Sequence, residues 1–145
     1  ELDFAIKSAI DDYKIEGLVS GAIKSNYQFE RIKNICEKYK IESITPIWQT
    51  NEKDYLNDLL KCKFEIMIVK IAGYPLTEKF LGKFLDEDMK NELLEMNKKY
   101  KNSPVGEGGE FESICINSPE FKSRIELKIK SKLMESENLG FVEFE

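Results

Sequence analysis

Over its first 72 residues the chain alternates helical periodicity with short apolar runs, an order that few folds accommodate. Leu2, Ala5, Ile6, Ala9, Ile10 and Tyr13 recur at three- and four-residue steps, the spacing of one helix face. Leu18-Val19 predicts a short strand. A second helix follows, with Ser25 as its N-cap and an apolar stripe of Phe29, Ile32, Ile35, Cys36 and Tyr39. Residues 41–47 contain the next strand, closed by Pro46 and Trp48. Thr50 or Asn51 caps a third helix with Tyr55, Leu56, Leu59 and Leu60 on one side, and residues 64–72 read as a buried strand. Helix–strand units at this spacing predict right-handed crossovers on a parallel sheet, and hence an α/β fold for residues 1–72.

After Gly73-Tyr74-Pro75 the pattern changes. Residues 77–100 read as helical, with Asp86-Glu87-Asp88 breaking them in two and Asp86 or Asp88 capping the second piece. Lys98-Lys99-Tyr100-Lys101 supplies cations that suit a helix C-terminus. Residues 111–117, the alternating stretch 125–130 and residues 140–144 read as strands, the last preceded by a Ser136-Glu137-Asn138 turn. These pair most economically as an antiparallel set, so residues 73–145 are expected to form an α+β subdomain.

Composition removes whole classes of function. A net charge of −5 argues against broad binding to a nucleic-acid backbone. The longest apolar run, Ile66-Met67-Ile68-Val69, is too short to span a bilayer, and no signal-peptide pattern opens the chain, so a soluble cytoplasmic protein is expected. Cys36, Cys62 and Cys115 are odd in number and widely spaced, which fits neither a disulfide framework nor structural zinc and suits a reducing compartment. There is no histidine, so a Ser-His-Asp or Cys-His nucleophile system is excluded. Acid–base work here falls to carboxylates, lysine, tyrosine or backbone.

The densest chemical signal is Gly106-Glu107-Gly108-Gly109-Glu110-Phe111-Glu112, three glycines and three carboxylates in seven residues. Glycine lets a backbone take positive φ or approach a ligand closely, at an entropic cost. Clustered carboxylates repel unless a metal, a cation or a shared proton relieves them. Glu107 and Glu110 could hold Mg²⁺, or could bind or deprotonate an amine nucleophile. Glu110 and Glu112 are expected on one face if the strand has already begun. The plainer alternative is a solvated acidic turn before an edge strand.

A second set lies upstream. Ser20-Gly21-Ala22 follows a presumed parallel strand, where α/β sheets gather ligands and helix N-termini present N–H groups to anions. An ordinary strand-to-helix turn uses the same residues. Tyr27, Gln28 and Arg31 occupy the first turns of the following helix, with Gln28 and Arg31 three apart on one side. Arg31 is one of two arginines among 22 basic residues, which suggests a need for the planar guanidinium fork, for a ligand anion or for a salt bridge. Trp48 could wall a cleft or belong to the core.

Taken together, these stretches resemble the diphthine–ammonia ligase family. Val19-Ser20-Gly21-Ala22-Ile23 with Ser25, Tyr27, Gln28 and Arg31 is similar to its central motif, and Pro46-Ile47-Trp48 to its next strand end. Leu81-Gly82 fits its mid-region signature, and Pro104 with the run from Gly106 to Glu112 its most distinctive segment. Ser118-Pro119-Glu120-Phe121-Lys122-Ser123-Arg124-Ile125 is similar to its post-strand segment. The resemblance covers roughly residues 17–130 in the same order, far more than a lone motif.

The resemblance implies a PP-loop (N-type) ATP pyrophosphatase. Residues 1–72 would then be the C-terminal part of an adenine-nucleotide α-hydrolase-like domain, and residues 73–145 a substrate-binding subdomain. The implied reaction adenylates the diphthine carboxylate of elongation factor 2 with ATP and Mg²⁺, and ammonia then displaces AMP to give diphthamide. Ser20, Gly21 and Ala22 would lie beside the nucleotide α-phosphate or ribose. Glu107 and Glu110 would act on the acceptor side, with Tyr27, Gln28, Arg31, Gly106, Gly108, Gly109 and Glu112 binding substrate. A dedicated metal site is not implied, and homo-oligomerisation is left open.

The chain departs from the family at one point. No Ser-Gly-Gly-Lys-Asp-Ser-type pyrophosphate loop occurs, since Gly108-Gly109 is followed by Glu110-Phe111. The chain begins at Glu1 inside a helical pattern and reads as a piece of a longer protein, ATP-incompetent or weak unless the missing segment is supplied. The competing reading is a non-catalytic module that binds a nucleotide or a modified residue.

Overall fold

The computed structural model describes residues 1–145, which form two compact units, Glu1–Thr50 and Asn51–Glu145. The first contains α1 (Leu2–Tyr13), β1 (Gly17–Val19), α2 (Asn26–Tyr39) and β2 (Glu42–Ile44). β1 and β2 pair in parallel, Gly17 opposite Glu42 and Val19 opposite Ile44, as the crossover pattern predicts. A Cβ on Gly17 would approach the Glu42 Cβ and carbonyl oxygen to 3.3 Å, so glycine suits this close strand contact. Ser25 caps α2 by accepting from the Gln28 N–H at 3.3 Å. Asp3 ties α1 to α2, accepting from Lys38 Nζ at 2.8 Å and from the Tyr39 hydroxyl at 3.1 Å. Ile6, Ala22, Ile23 and Cys36 are its fully buried apolar residues.

The second unit contains α3 (Glu52–Lys61), β3 (Glu65–Ala72), a 3₁₀ turn (Glu78–Phe80), α4 (Glu87–Tyr100), β4 (Phe111–Asn117), β5 (Ile129–Ser136) and β6 (Leu139–Phe144). The four strands form an antiparallel sheet in the order β4-β3-β6-β5. One row of register partners runs Phe111–Ile71–Gly140–Met134, and the next runs Glu112–Lys70–Phe141–Leu133. The first row faces the core, where Ile71 is fully buried with Leu76, Phe80, Leu81 and Leu93. The second faces outward, with Phe141 and Leu133 exposed. Gly140 is needed there, because a Cβ would lie 2.7 Å from the Leu133 carbonyl oxygen and 2.4 Å from the Met134 sulfur.

Four expectations are corrected. Residues 64–72 do not extend a parallel sheet: β3 pairs antiparallel with β4 and with β6. A near-continuous apolar run marks a buried central strand but does not specify the direction of its partners. With its partners supplied from the C-terminal half, β3 carries α3 into the second unit, and the units part at Thr50–Asn51 rather than at 72/73. Residues 77–100 are not two helices. Only the second exists, capped by Asp86, which accepts from the Met89 N–H at 2.8 Å. The first piece is drawn out along β3: Gly82 takes φ +73° and donates to the Ile68 carbonyl at 2.8 Å, and Leu85 donates to that of Ile66 at 2.8 Å.

The last correction is at the C-terminal sheet. β5 begins at Ile129, and residues 118–128 form a loop despite their alternation. That loop is pinned at Glu65, which accepts from Arg124 Nε and from Asn117 Nδ2, each at 2.8 Å.

The Arg124 guanidinium, then the Asn117 amide, hold the Glu65 carboxyl below its ordinary value of 4.5. A carboxyl depressed on folding stabilises the fold above its unfolded pKa and loses that contribution as pH falls through the folded value. The stability difference between the unaltered chain and Arg124→Gln should therefore shrink as pH falls below about 4.5. Thermal unfolding across pH 7 to 3 checks this, and a constant difference would contradict it.

Candidate functional site

The residues singled out in sequence fall into two groups, one in each unit. In the first unit, Ser20, Gly21, Ala22, Tyr27, Gln28 and Arg31 line one cavity of about 450 Å³, with Leu2 and Ile32 as its apolar flank. The turn after β1 builds it. The Ser20 N–H extends the sheet by donating to the Ile44 carbonyl at 2.9 Å, and its hydroxyl lies 3.0 Å from that of Thr45. Ala22 and Ile23 are buried and anchor the turn, while a Cβ on Gly21 would meet no atom within 4 Å. The backbone therefore does not require glycine at 21, and its small size leaves the cavity open.

Arg31 Nη1 donates to the Tyr27 hydroxyl at 3.2 Å, with the guanidinium carbon 5.9 Å from the ring centroid. Within the first unit it forms no salt bridge to a carboxylate. Trp48 is half-buried and stacks on the half-buried Phe29 at 4.2 Å and an interplanar angle of 10°.

In the second unit, the glycine–glutamate run is a loop between α4 and β4 whose shape is set by Ser103. The Ser103 N–H donates to Glu110 Oε1 at 2.6 Å, a charge-assisted bond across the loop mouth. Its hydroxyl donates to Glu52 Oε1 at 3.2 Å and accepts from the N–H of Glu107 at 3.2 Å and of Val105 at 3.4 Å. The Glu110 carbonyl accepts from the Ala72 N–H at 2.7 Å, fixing the loop to the end of β3. Pro104 is buried, and with Val105 it closes an apolar cavity of about 100 Å³ against Leu56, Leu93 and Phe111.

The glycines have separate reasons. Gly106 takes φ +74°, and a Cβ there would lie 2.9 Å from the Phe111 ring and 3.0 Å from its carbonyl oxygen. Gly109 takes φ +86° in open space. Gly108 makes room for the Glu110 carboxylate, which would sit 2.6 Å from its Cβ.

The three glutamates are not pooled. Glu110 precedes β4 and folds back on Ser103, with its Oε2 buried and without a protein partner. Glu112 instead pairs across the sheet with Lys70 at 2.8 Å and holds that amine above its ordinary pKa. Glu107 is half-buried, its backbone held by Ser103. No group of three or more His, Cys, Asp or Glu side chains that could hold a metal ion assembles in the chain. The first-unit cavity combines the open turn at Gly21 with the Arg31 guanidinium in its lining.

Sequence reading missed Ser103 and Glu52. The hydroxyl-to-N–H contact two residues on is a Ser-turn signature that Ser103-Pro104-Val105 carries in its sequence. Glu52 lies 51 positions away and leaves no local signal.

Fold and site together define a two-unit α/β chain with an open strand–helix turn in one unit and a carboxylate-braced glycine loop in the other. A family model described as the diphthamide synthase C-terminal domain matches residues 51–145, and the chain belongs to that family. It is 40% identical over 116 residues to the diphthine–ammonia ligase of Schizosaccharomyces pombe, covering 80% of this chain and 19% of that protein. It is 36% identical over 121 residues to the human diphthine–ammonia ligase, covering 83% of this chain and 45% of that protein. The zebrafish (Danio rerio) enzyme is 28% identical over 144 residues, 96% of this chain and 56% of that protein. The chain thus spans about half, or less, of the length of these curated relatives.

The contrast between glycines is measurable. Gly106→Ala should lower unfolding free energy by about 1–3 kcal/mol, through positive φ and the Phe111 clash. Gly21→Ala should change it by no more than about 0.5 kcal/mol. Chemical denaturation of both variants checks the pair, and equal losses would contradict the distinction.

Proposed function

We propose that this chain is part of an ATP-dependent amide ligase that adenylates the diphthine carboxylate of elongation factor 2 and amidates it with ammonia. The observation that carries this reading is the pairing of two features within one family member. One is a nucleotide-sized open turn at Ser20, Gly21 and Ala22; the other is a glycine loop that presents Glu107 on a braced backbone. Adenylation and aminolysis need no histidine. Backbone N–H groups and cations stabilise the developing charge, and positioning supplies much of the rate.

On this reading the Ser20–Ala22 turn lies against the α-phosphate or ribose, and Arg31, already oriented by Tyr27, approaches an anionic group with Gln28 beside it. ATP supplies the leaving group of the activated carboxylate. Glu107 stands on the acceptor side, where a carboxylate can attract a fixed cation or accept a proton from the attacking amine. Gly106, Gly108 and Gly109 give that side its close backbone approach, and Glu110 holds the loop closed. Glu112, engaged with Lys70, contributes to the wall rather than to the reacting centre. No helix is long and apolar enough to cross a membrane. A cytoplasmic setting suits the three free cysteines.

The test uses the full reading frame that carries these residues. Glu107→Gln should lower amidation by about 10²-fold or more while sparing ATP affinity. Gly21→Val should weaken ATP or AMP binding by roughly tenfold or more before any other effect, because its side chain fills open cavity. Unchanged amidation in Glu107→Gln would remove the acceptor-side assignment. Unchanged nucleotide affinity in Gly21→Val would remove the nucleotide assignment. ATP binding without any turnover in the unaltered protein would favour a binding module instead.

A further inference from the structure

Every polar group of Ser103 is committed to the loop that follows it. Its carbonyl accepts from the Gly106 N–H at 3.3 Å, its N–H donates to Glu110 Oε1 at 2.6 Å, and its hydroxyl oxygen accepts from both Val105 and Glu107. A hydroxyl has one proton and two lone pairs. It can accept two N–H groups only if its own proton points elsewhere. Glu52 Oε1, at 3.2 Å, is the acceptor that takes it.

Glu52 is the first residue of α3, where the helix dipole favours a carboxylate, and the Asn51 cap beside it accepts from the Lys53 N–H at 3.0 Å. The orientation of the Ser103 hydroxyl is thus set by a helix terminus that local sequence does not connect to the loop. An acceptor at 52 leaves the oxygen free to hold the Glu107 backbone; a donor at 52 would compete with it.

We infer that Ser103, oriented by Glu52, is the positioning residue of the glycine loop: it fixes the backbone from which Glu107 acts and the carboxylate of Glu110 that closes the loop. The inference rests on the acceptor-side reading of the loop. Glu52 and Ser103 touch no reacting group on this assignment and act through Glu107.

Two measurements separate this inference from the reading beneath it. The first is hydrogen exchange at the Val105 and Glu107 amides of the chain itself. Ser103→Ala should raise both rates by roughly tenfold, Glu52→Gln should do so to a lesser degree, and Ser103→Thr should restore protection. Unchanged exchange in Ser103→Ala would overturn the inference. The second is amidation by the full reading frame, where Ser103→Ala should lower kcat by at least tenfold with ATP KM unchanged, and Ser103→Thr should rescue it. If Glu107→Gln depresses amidation while Ser103→Ala, loosened by exchange, does not, the positioning role fails and the acceptor-side reading stands. If neither variant affects amidation, the acceptor-side reading fails and the inference falls with it.

Discussion

The bond from the Ser103 N–H to the Glu110 carboxylate is the constraint on which the glycine loop depends. Positive φ at Gly106 and Gly109 makes a compact loop accessible but does not hold it there, because glycine is equally free elsewhere. Ordering each such residue costs about 1–2 kcal/mol of backbone entropy. A hydrogen bond to a charged group returns about 1.5–3 kcal/mol, so one bond offsets only one or two residues. The remainder comes from the Ser103 hydroxyl contacts, the Ala72–Glu110 backbone bond and the burial of Pro104 and Val105 against the second-unit core. A site of this kind is a polar loop on an apolar footing.

The same economy explains the partition of acidic groups. Three free carboxylates within a few residues would repel one another. Here Glu112 is paired with Lys70 on the neighbouring strand, and Glu110 accepts from the Ser103 N–H. In the first unit the logic is different. The Ser20–Ala22 turn is fixed by a strand bond and by buried Ala22 and Ile23, and no side chain fills the space beside Gly21. Gly106 and Gly109 are kept for conformation, Gly108 and Gly21 for room.

What could be read in sequence was what local chemistry determines. The caps at Ser25, Asn51 and Asp86 all accept from N–H groups of their helices, and β4 spans the predicted residues. The cavity at Ser20–Ala22, Tyr27, Gln28 and Arg31 was legible because a strand end and the next helix's first turns are neighbours by construction. What could not be read was non-local. The partners of β3 come from residues 40 to 71 positions downstream, and apolar content alone cannot say whether a central strand is met in parallel or antiparallel. The helical periodicity of residues 77–85 was overridden by Gly82 and by pairing to β3, a case of tertiary contacts outweighing propensity. Alternation at 125–128 lost to the Arg124–Glu65 pin. Glu52 was invisible because its partner lies far along the chain.

The most direct measurement is the proton chemical shift of the Ser103 amide in the folded chain. An N–H donating at 2.6 Å to a carboxylate is strongly polarised and should resonate well downfield of ordinary loop amides. Glu110→Gln should move it upfield and loosen the loop around it. A Ser103 amide at an ordinary shift, unmoved in Glu110→Gln, would mean that the carboxylate does not close the loop.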